Sequence, residues 1–206
     1  MSFVIKVCGI TRPEDGELAC REGATAIGLN FWRGSKRFVE DGRAQEVAAA
    51  LPPGVLKVGV FVNPIRAEVE RRLAGLGLDV VQLHGDEQPE EWASFPSDKL
   101  IRAVRVESPA SLAQDRAWRP RFFLYDAASE SYGGSGKQAP WEVVAASGTR
   151  PFILAGGLTP ENVAAAIAAV RPDGVDVASG VEASPGIKDP VKLSSFIANA
   201  RSAHHP

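Results

Sequence analysis

Short apolar runs alternate with segments of helical period along this whole chain, and that alternation constrains its fold more than any other feature. The runs cover residues 4–7, 26–29, 57–61, 80–83, 101–104, 122–125, 152–154 and 175–177. Each is too short for a helix, and most are rich in Val, Ile, Leu and Phe, so each reads as a buried strand. The segments between them read as helices. Residues 14–21 follow Thr11 as N-cap, with Pro13 in the first turn and Gly23 as the stop. Residues 42–51 run into Pro52-Pro53, residues 64–73 end at Gly75, and residues 160–170 open after Thr159. Weaker helical segments fall near 90–94, 109–114, 141–146 and 190–200.

Strict βα alternation implies parallel strands joined by right-handed crossovers. Eight such units close into an α/β fold of the (β/α)8 TIM-barrel type, a single domain spanning residues 1–206. A Rossmann-like open sheet is the alternative, but no GxGxxG follows the first strand, where a dinucleotide site would put it. In a parallel barrel, chemistry gathers at the C-terminal ends of the strands. Those positions hold Cys8, Asn30, Asn63, His84, Arg105, Asp126, the pair Gly156-Gly157, and Ser179-Gly180.

Cys8 ends the first strand. Side chains alternate along a strand, so Val4, Lys6 and Cys8 share one face, and Phe3, Ile5 and Val7 share the other. The all-apolar face belongs against the helices, which turns Lys6 and Cys8 into the barrel. A lysine there needs a partner. Closure sets the eighth strand beside the first, and its run GVDVASG offers Asp176. A Lys6–Asp176 pair is therefore expected, with the Lys6 charge favouring ionisation of Cys8. Cys20, on the following helix, reads as filler.

Asp126 ends the run FFLYD. A carboxylate behind four apolar or aromatic residues suits a general acid, or alternatively a brace for the following loop. Strands one and six lie on roughly opposite sides of an eight-strand ring. Cys8 and Asp126 would then bracket a substrate and move a proton between neighbouring atoms.

After strands seven and eight come AGGLTPEN and ASGVEASPG, turns of small residues at the two positions where barrels commonly bind phosphate. The loop GSKRF after strand two brings Lys36 and Arg37, either as a grip on a second anionic group or as a solvated basic loop. VVQLHG ends strand four with Gln82 and His84 on one face, His84 as a substrate-site neighbour. SYGGSGKQ, residues 131–138, has glycines that suit folding over a ligand, but it lacks Walker spacing, which argues against a nucleotide.

The net charge is −2 with the signs interspersed, so no basic block points to nucleic acid. No apolar run is long enough to span a membrane, and the first residues lack the pattern of a signal peptide. Two cysteines make no disulfide framework, and a cytoplasmic location follows. The apolar stretch 51–56, on the face opposite the expected site, reads either as a homodimer contact or as a packed turn.

Taken together, KVCGIT, SKRF, VGVFVN, VQLHG, the aspartate leading to YGGSGK, LAGGLTPENV and VDVASGVE followed by PG and KD closely resemble the phosphoribosylanthranilate isomerases of tryptophan biosynthesis. The match runs in order from Lys6 to Asp189. It departs at Ala178, where the family reads serine, and at Gln138-Ala139-Pro140, where the family often has Thr-Phe-Asp. The resemblance implies the (β/α)8 fold and an Amadori rearrangement of a phosphorylated small molecule, with no cofactor and no metal. It implies Cys8 as general base, Asp126 as general acid and Arg37 on the anthranilate carboxylate. Phosphate would be held by the loops of Gly156, Gly157, Ser179 and Gly180, with Asp176 close by. The related sugar isomerase of the histidine pathway uses an aspartate where this chain has Cys8. A noncatalytic phosphosugar-binding barrel would not need both Cys8 and Asp126.

Overall fold

The computed structural model describes residues 3–127, 141–146 and 151–204. Strands β1 (Val4–Cys8), β2 (Ala26–Asn30), β3 (Leu56–Phe61), β4 (Val80–Leu83), β5 (Leu100–Val106), β6 (Phe122–Ala127), β7 (Phe152–Leu154) and β8 (Gly174–Val177) close in that order into one barrel. Every neighbouring pair is parallel, including the seam between β1 and β8. Helices α1 (Pro13–Glu22), α2 (Asp41–Ala50), α3 (Arg66–Gly75), α4 (Pro89–Trp92), α5 (Trp141–Ala145), α6 (Val163–Val170) and α7 (Pro190–His204) follow successive strands, with a 3-10 segment at Pro109–Ala117 after β5.

The barrel buries both faces of its strands, which is why they read as continuous apolar runs. One layer of side chains fills the interior, with Val4, Ala26, Val58, Val80, Ile101, Phe122, Leu124 and Ile153 packed together. The alternate residues, such as Ile5, Val7, Ile27, Leu29, Val81, Leu83, Tyr125, Leu154 and Val175, meet the helices. Phase matters here. Positions 4, 6 and 8 of β1 face inward, as their alternation requires, and so do 122, 124 and 126 of β6.

Helix ends differ from the sequence reading at several places. Thr11 does not cap α1: Arg12 occupies the cap position without a side-chain bond, and the Thr11 hydroxyl donates to the Gly186 carbonyl oxygen instead. Pro13 supplies the fixed φ of the first turn, and Gly23 ends the helix in the left-handed region at φ 114°. Helix α3 starts two residues after Pro64. Helix α6 starts at Val163 rather than Pro160, because Asn162 turns back to accept from the Thr159 N–H and donate to the Gly157 carbonyl oxygen. After β8, a 3-10 turn (Ser179–Val181) leads to an antiparallel hairpin of β9 (Glu182–Ser184) and β10 (Ile187–Lys188), which the apolar pattern does not announce.

In the stretch 51–56, Leu51 is buried and Val55 and Leu56 pack on the core, while Pro52, Pro53 and Gly54 are exposed. The loop 131–138 lies outside the described residues. Among the described residues, no helix is long and apolar enough to cross a membrane.

Candidate active site

Barrel closure makes Lys6 and Asp176 register partners across the seam, and Lys6 Nζ sits 2.9 Å from Asp176 Oδ1. Both are buried. Burial works against the Lys6 charge, yet Asp176 and Cys8 hold its ammonium above the ordinary lysine value. The expected pair is therefore present.

Cys8 lies one inward step further along β1, opposite Gly28 of β2. A β-carbon at Gly28 would come 2.8 Å from Cys8 Sγ and 3.2 Å from Lys6 Nζ. The glycine makes room for thiol and ammonium side by side. Burial pushes the Cys8 thiol up, while the Lys6 charge and hydrogen bond pull it down. Lys6 favours ionisation, as expected, but burial outweighs it and the balance lies above the ordinary thiol value. Lys6 reduces the cost of a thiolate without abolishing it. Cys20 has no such neighbour, and burial alone raises its thiol to about 11.

Asp126, the last inward-facing residue of β6, is 9% exposed and level with Arg105 of β5. His84 Nε2 lies 3.4 Å from its Oδ2. On the other side of the ring, Gln82 Nε2 donates to His84 Nδ1 at 3.2 Å. With Nδ1 accepting, Nε2 is the nitrogen turned towards Asp126. The charges of Asp126 and His84 both reach Asp176. Cys8 and Asp126 thus stand towards opposite ends of one row, from half-buried Cys8 through buried Lys6 and Asp176 to Asp126 and half-buried His84.

The loops after β7 and β8 meet backbone to backbone. Gly156 and Gly157 take φ values of 85° and 63°, which side-chain-bearing residues rarely adopt. A β-carbon at Gly180 would overlap the Leu158 carbonyl oxygen. Gly180 therefore lies directly against Leu158 and Thr159, just after the Gly156-Gly157 turn, and Asn162 braces that turn through its bond to Gly157.

Of the two basic residues in GSKRF, Lys36 is exposed and Arg37 is drawn inward. The Arg37 side chain packs over Gly9 (φ 71°), beside Cys8. Its Nε and Nη2 donate to the two carboxylate oxygens of Glu182 at 2.7 and 2.6 Å. Glu182 also accepts from Lys188 Nζ at 3.1 Å, and Lys188 donates to the carbonyl oxygens of Cys8 and Ala178. Neither Glu182 nor Lys188 stands among the site residues read from the sequence. The only signal was their place in GVE and KD, motifs that carried the resemblance without a role.

Asn30 and Asn63 brace loops instead of facing the mouth. Asn30 accepts from the Trp32 N–H and donates to Ser35 Oγ, and Asn63 accepts from the Asp86 N–H. A separate cavity of about 480 Å³ opens between the loops after β4 and β5. His84 and Arg105 border it, but neither Cys8 nor Asp126 does.

Known proteins share this architecture and sequence. The family profile of N-(5'phosphoribosyl)anthranilate (PRA) isomerase matches residues 5–199. The N-(5'-phosphoribosyl)anthranilate isomerase of Neisseria meningitidis serogroup C is 43% identical over 198 residues, covering 95% of each chain. The crystal structure of phosphoribosyl anthranilate isomerase from Thermotoga maritima superposes with a TM-score of 0.90 at 39% identity, over 98% of this chain and 100% of that one. A crystal structure of the isomerase in complex with reduced 1-(o-carboxyphenylamino)-1-deoxyribulose 5-phosphate superposes at 0.85 with 36% identity, over 98% and 100%. From fold, inward-facing cysteine and aspartate, and matches across nearly its whole length, the chain belongs to the N-(5'-phosphoribosyl)anthranilate isomerase family, the aldose–ketose isomerases of tryptophan biosynthesis.

Proposed function

We propose that this chain rearranges N-(5-phospho-β-D-ribosyl)anthranilate to 1-(2-carboxyphenylamino)-1-deoxy-D-ribulose 5-phosphate, with Cys8 as the general base and Asp126 as the general acid. The observation that carries this assignment is their placement at the C-terminal parts of β1 and β6, both facing the barrel interior, with the buried Lys6–Asp176 pair between them.

The chemistry follows from where protons must go. Asp126 gives a proton to the furanose ring oxygen as the C1′–O bond breaks, leaving the anthranilate nitrogen doubly bonded to C1′. That iminium acidifies the hydrogen on C2′, and Cys8 as thiolate removes it. The resulting enolamine tautomerises to the ketone. Each well-placed proton transfer contributes roughly 10²–10⁴-fold. His84, with Nε2 3.4 Å from Asp126 Oδ2, stands where it can steady the carboxylate left after its proton has gone. Lys6 does the same for the thiolate, which otherwise forms at a cost set by burial.

Holding both ends of the substrate adds the positioning term. The backbone N–H groups around Gly156, Gly157, Ser179 and Gly180 would receive the phosphate, and Arg37 the anthranilate carboxylate. The two free cysteines favour a reducing compartment, and we place the chain in the cytoplasm. A homodimer would use the exposed turn at Pro52, Pro53 and Gly54, and sedimentation tests it.

The test is a fluorescence assay following loss of N-(5-phosphoribosyl)anthranilate, with Asp126→Asn as control. Turnover by the wild type and its near-abolition in the variant are expected. Well-folded protein without turnover would sink the assignment and leave a binding barrel.

A further inference from the structure

Glu182 accepts hydrogen bonds from Arg37, Lys188 and the Gly186 N–H, and the acid–base steps make no use of it. It is 8% exposed, at the start of β9, and is bound from three directions. Arg37 reaches it from the loop after β2, Lys188 from β10, and the Gly186 N–H from the hairpin turn. Fully buried Lys188 also donates to the carbonyl oxygens of Cys8 and Ala178, at 2.7 and 3.1 Å. One carboxylate therefore ties together the chain segments that follow β1, β2 and β8. Burial would raise the Glu182 carboxyl, but hydrogen bonding from Arg37 and the charges of Lys188 and Arg37 hold it below the usual carboxylate range.

A hairpin needing only stability would be served as well by apolar residues of similar volume. The contact with Arg37 has a directional consequence instead. A guanidinium holds five N–H groups in one plane, and Glu182 occupies its Nε–Nη2 side. That fixes the direction of the Nη1–Nη2 end, a second edge able to hold a carboxylate bidentately. The stem is fixed too, since any β-carbon on Gly9 would overlap Arg37 Cδ. Arg37 is thus set from both ends before a substrate arrives.

We infer that Glu182, backed by Lys188, is a positioning residue that aims the Nη1–Nη2 end of Arg37 at the aromatic carboxylate of the substrate. It thereby selects an anthranilate-bearing ribosyl phosphate over the same sugar phosphate with an uncharged amine. This rests on the role proposed for Arg37. The Lys188 bond to the Cys8 carbonyl holds the strand end that carries the base in register with the same fork.

The experiment starts from wild-type turnover; its absence would defeat the functional reading itself, separately from this inference. With an active wild type, Glu182→Gln is expected to raise KM about tenfold or more while kcat stays within about threefold, the mark of lost ground-state binding. Calorimetry with reduced 1-(o-carboxyphenylamino)-1-deoxyribulose 5-phosphate should show a matching loss, about tenfold, while affinity for inorganic phosphate holds within about twofold. In an Arg37→Ala background, Glu182→Gln should add nothing further. Arg37→Lys keeps the charge and loses the fork, and should weaken the analogue as Glu182→Gln does; it serves alone if the Glu182 variant does not fold. Unchanged analogue affinity in either variant, equal losses for analogue and phosphate, or additive losses in the double variant would each overturn the inference.

Discussion

Lys6 and Asp176 face each other across the barrel seam at 2.9 Å, neither side chain more than 9% exposed. An ion pair so placed does more than join two strands, because the same ammonium acts on Cys8. Lys6→Met leaves Asp176 without its partner, a loss of about 3–5 kcal/mol for a broken buried pair. Urea unfolding measures it, and an unchanged midpoint would remove the pair from the account of stability. The same substitution strips the thiol of its opposing charge. Alkylation of Cys8, followed in a Cys20→Ala background, should then move to higher pH.

Gly28 is the counterpart of that arrangement. Its replacement by alanine brings a β-carbon within 2.8 Å of Cys8 Sγ and 3.1 Å of Cys8 Cα. Overpacking of this kind costs about 1–3 kcal/mol. Displacement of the thiol should lower kcat more than tenfold (about 1.4 kcal/mol of barrel-mouth geometry) while circular dichroism stays native. Full activity in Gly28→Ala would show that the thiol has room to spare.

Substitution of the reacting groups separates chemistry from binding. Cys8→Ser and Asp126→Asn should each cut kcat by roughly 10²-fold or more, with much smaller changes in affinity for the reduced product analogue. The wild-type profile of kcat/KM should rise with pH through a thiol ionisation displaced above its ordinary value, because the base works deprotonated and burial opposes that form. A rise at or below the ordinary thiol value would contradict the assignment of Cys8.

Gly180 tests the anion end. A methyl group there overlaps the Leu158 carbonyl oxygen, so Gly180→Ala must push the loops after β7 and β8 apart. Loss of inorganic phosphate binding by calorimetry is expected, with KM raised in step. Unaltered phosphate affinity would mean that the anion is held elsewhere.

Acid stability should carry the mark of Glu182. Its folded carboxyl lies below the unfolded value, so its contribution is complete above the ordinary glutamate range. That contribution is lost as pH falls below about 4.3 and through the depressed folded value. The urea midpoint of the wild type should drop more steeply over that interval than that of Glu182→Gln. Parallel curves would count against the charge contacts to Arg37 and Lys188.

Much of this architecture is legible in the apolar pattern, because strands buried on both faces cannot disguise themselves. Alternation along β1 turned Lys6 and Cys8 inward, and closure then brought in Asp176. Asp126 stood out for the same reason, a charge after four apolar residues. What escaped the pattern depends on distance through space. Glu182 and Arg37 are 145 residues apart, joined by a hairpin of three- and two-residue strands too short to show a period. Lys188 follows a Pro-Gly turn and reads as a surface lysine until its buried partners are known. Thr11 has the chemistry of a cap, but its hydroxyl is drawn to Gly186, and at Thr159 the Asn162 side chain takes the backbone N–H instead. The Cys8 thiol shows the remaining difficulty: Lys6 is visible in the sequence, but the burial that outweighs it is not.

The seam pair also sets a timetable for the growing chain. Lys6 emerges from the ribosome early, and Asp176 follows 170 residues later. Until β8 is made, the first strand carries an inward-facing cation with nothing to balance it, so earlier strands have little reason to curl into a cylinder. Closure then joins the two most distant strands in one late step, the kind of non-local contact that slows folding. Nascent chains stopped before β8 should remain open sheets that bind chaperones, and the charge that tunes the thiol is balanced only once the barrel closes.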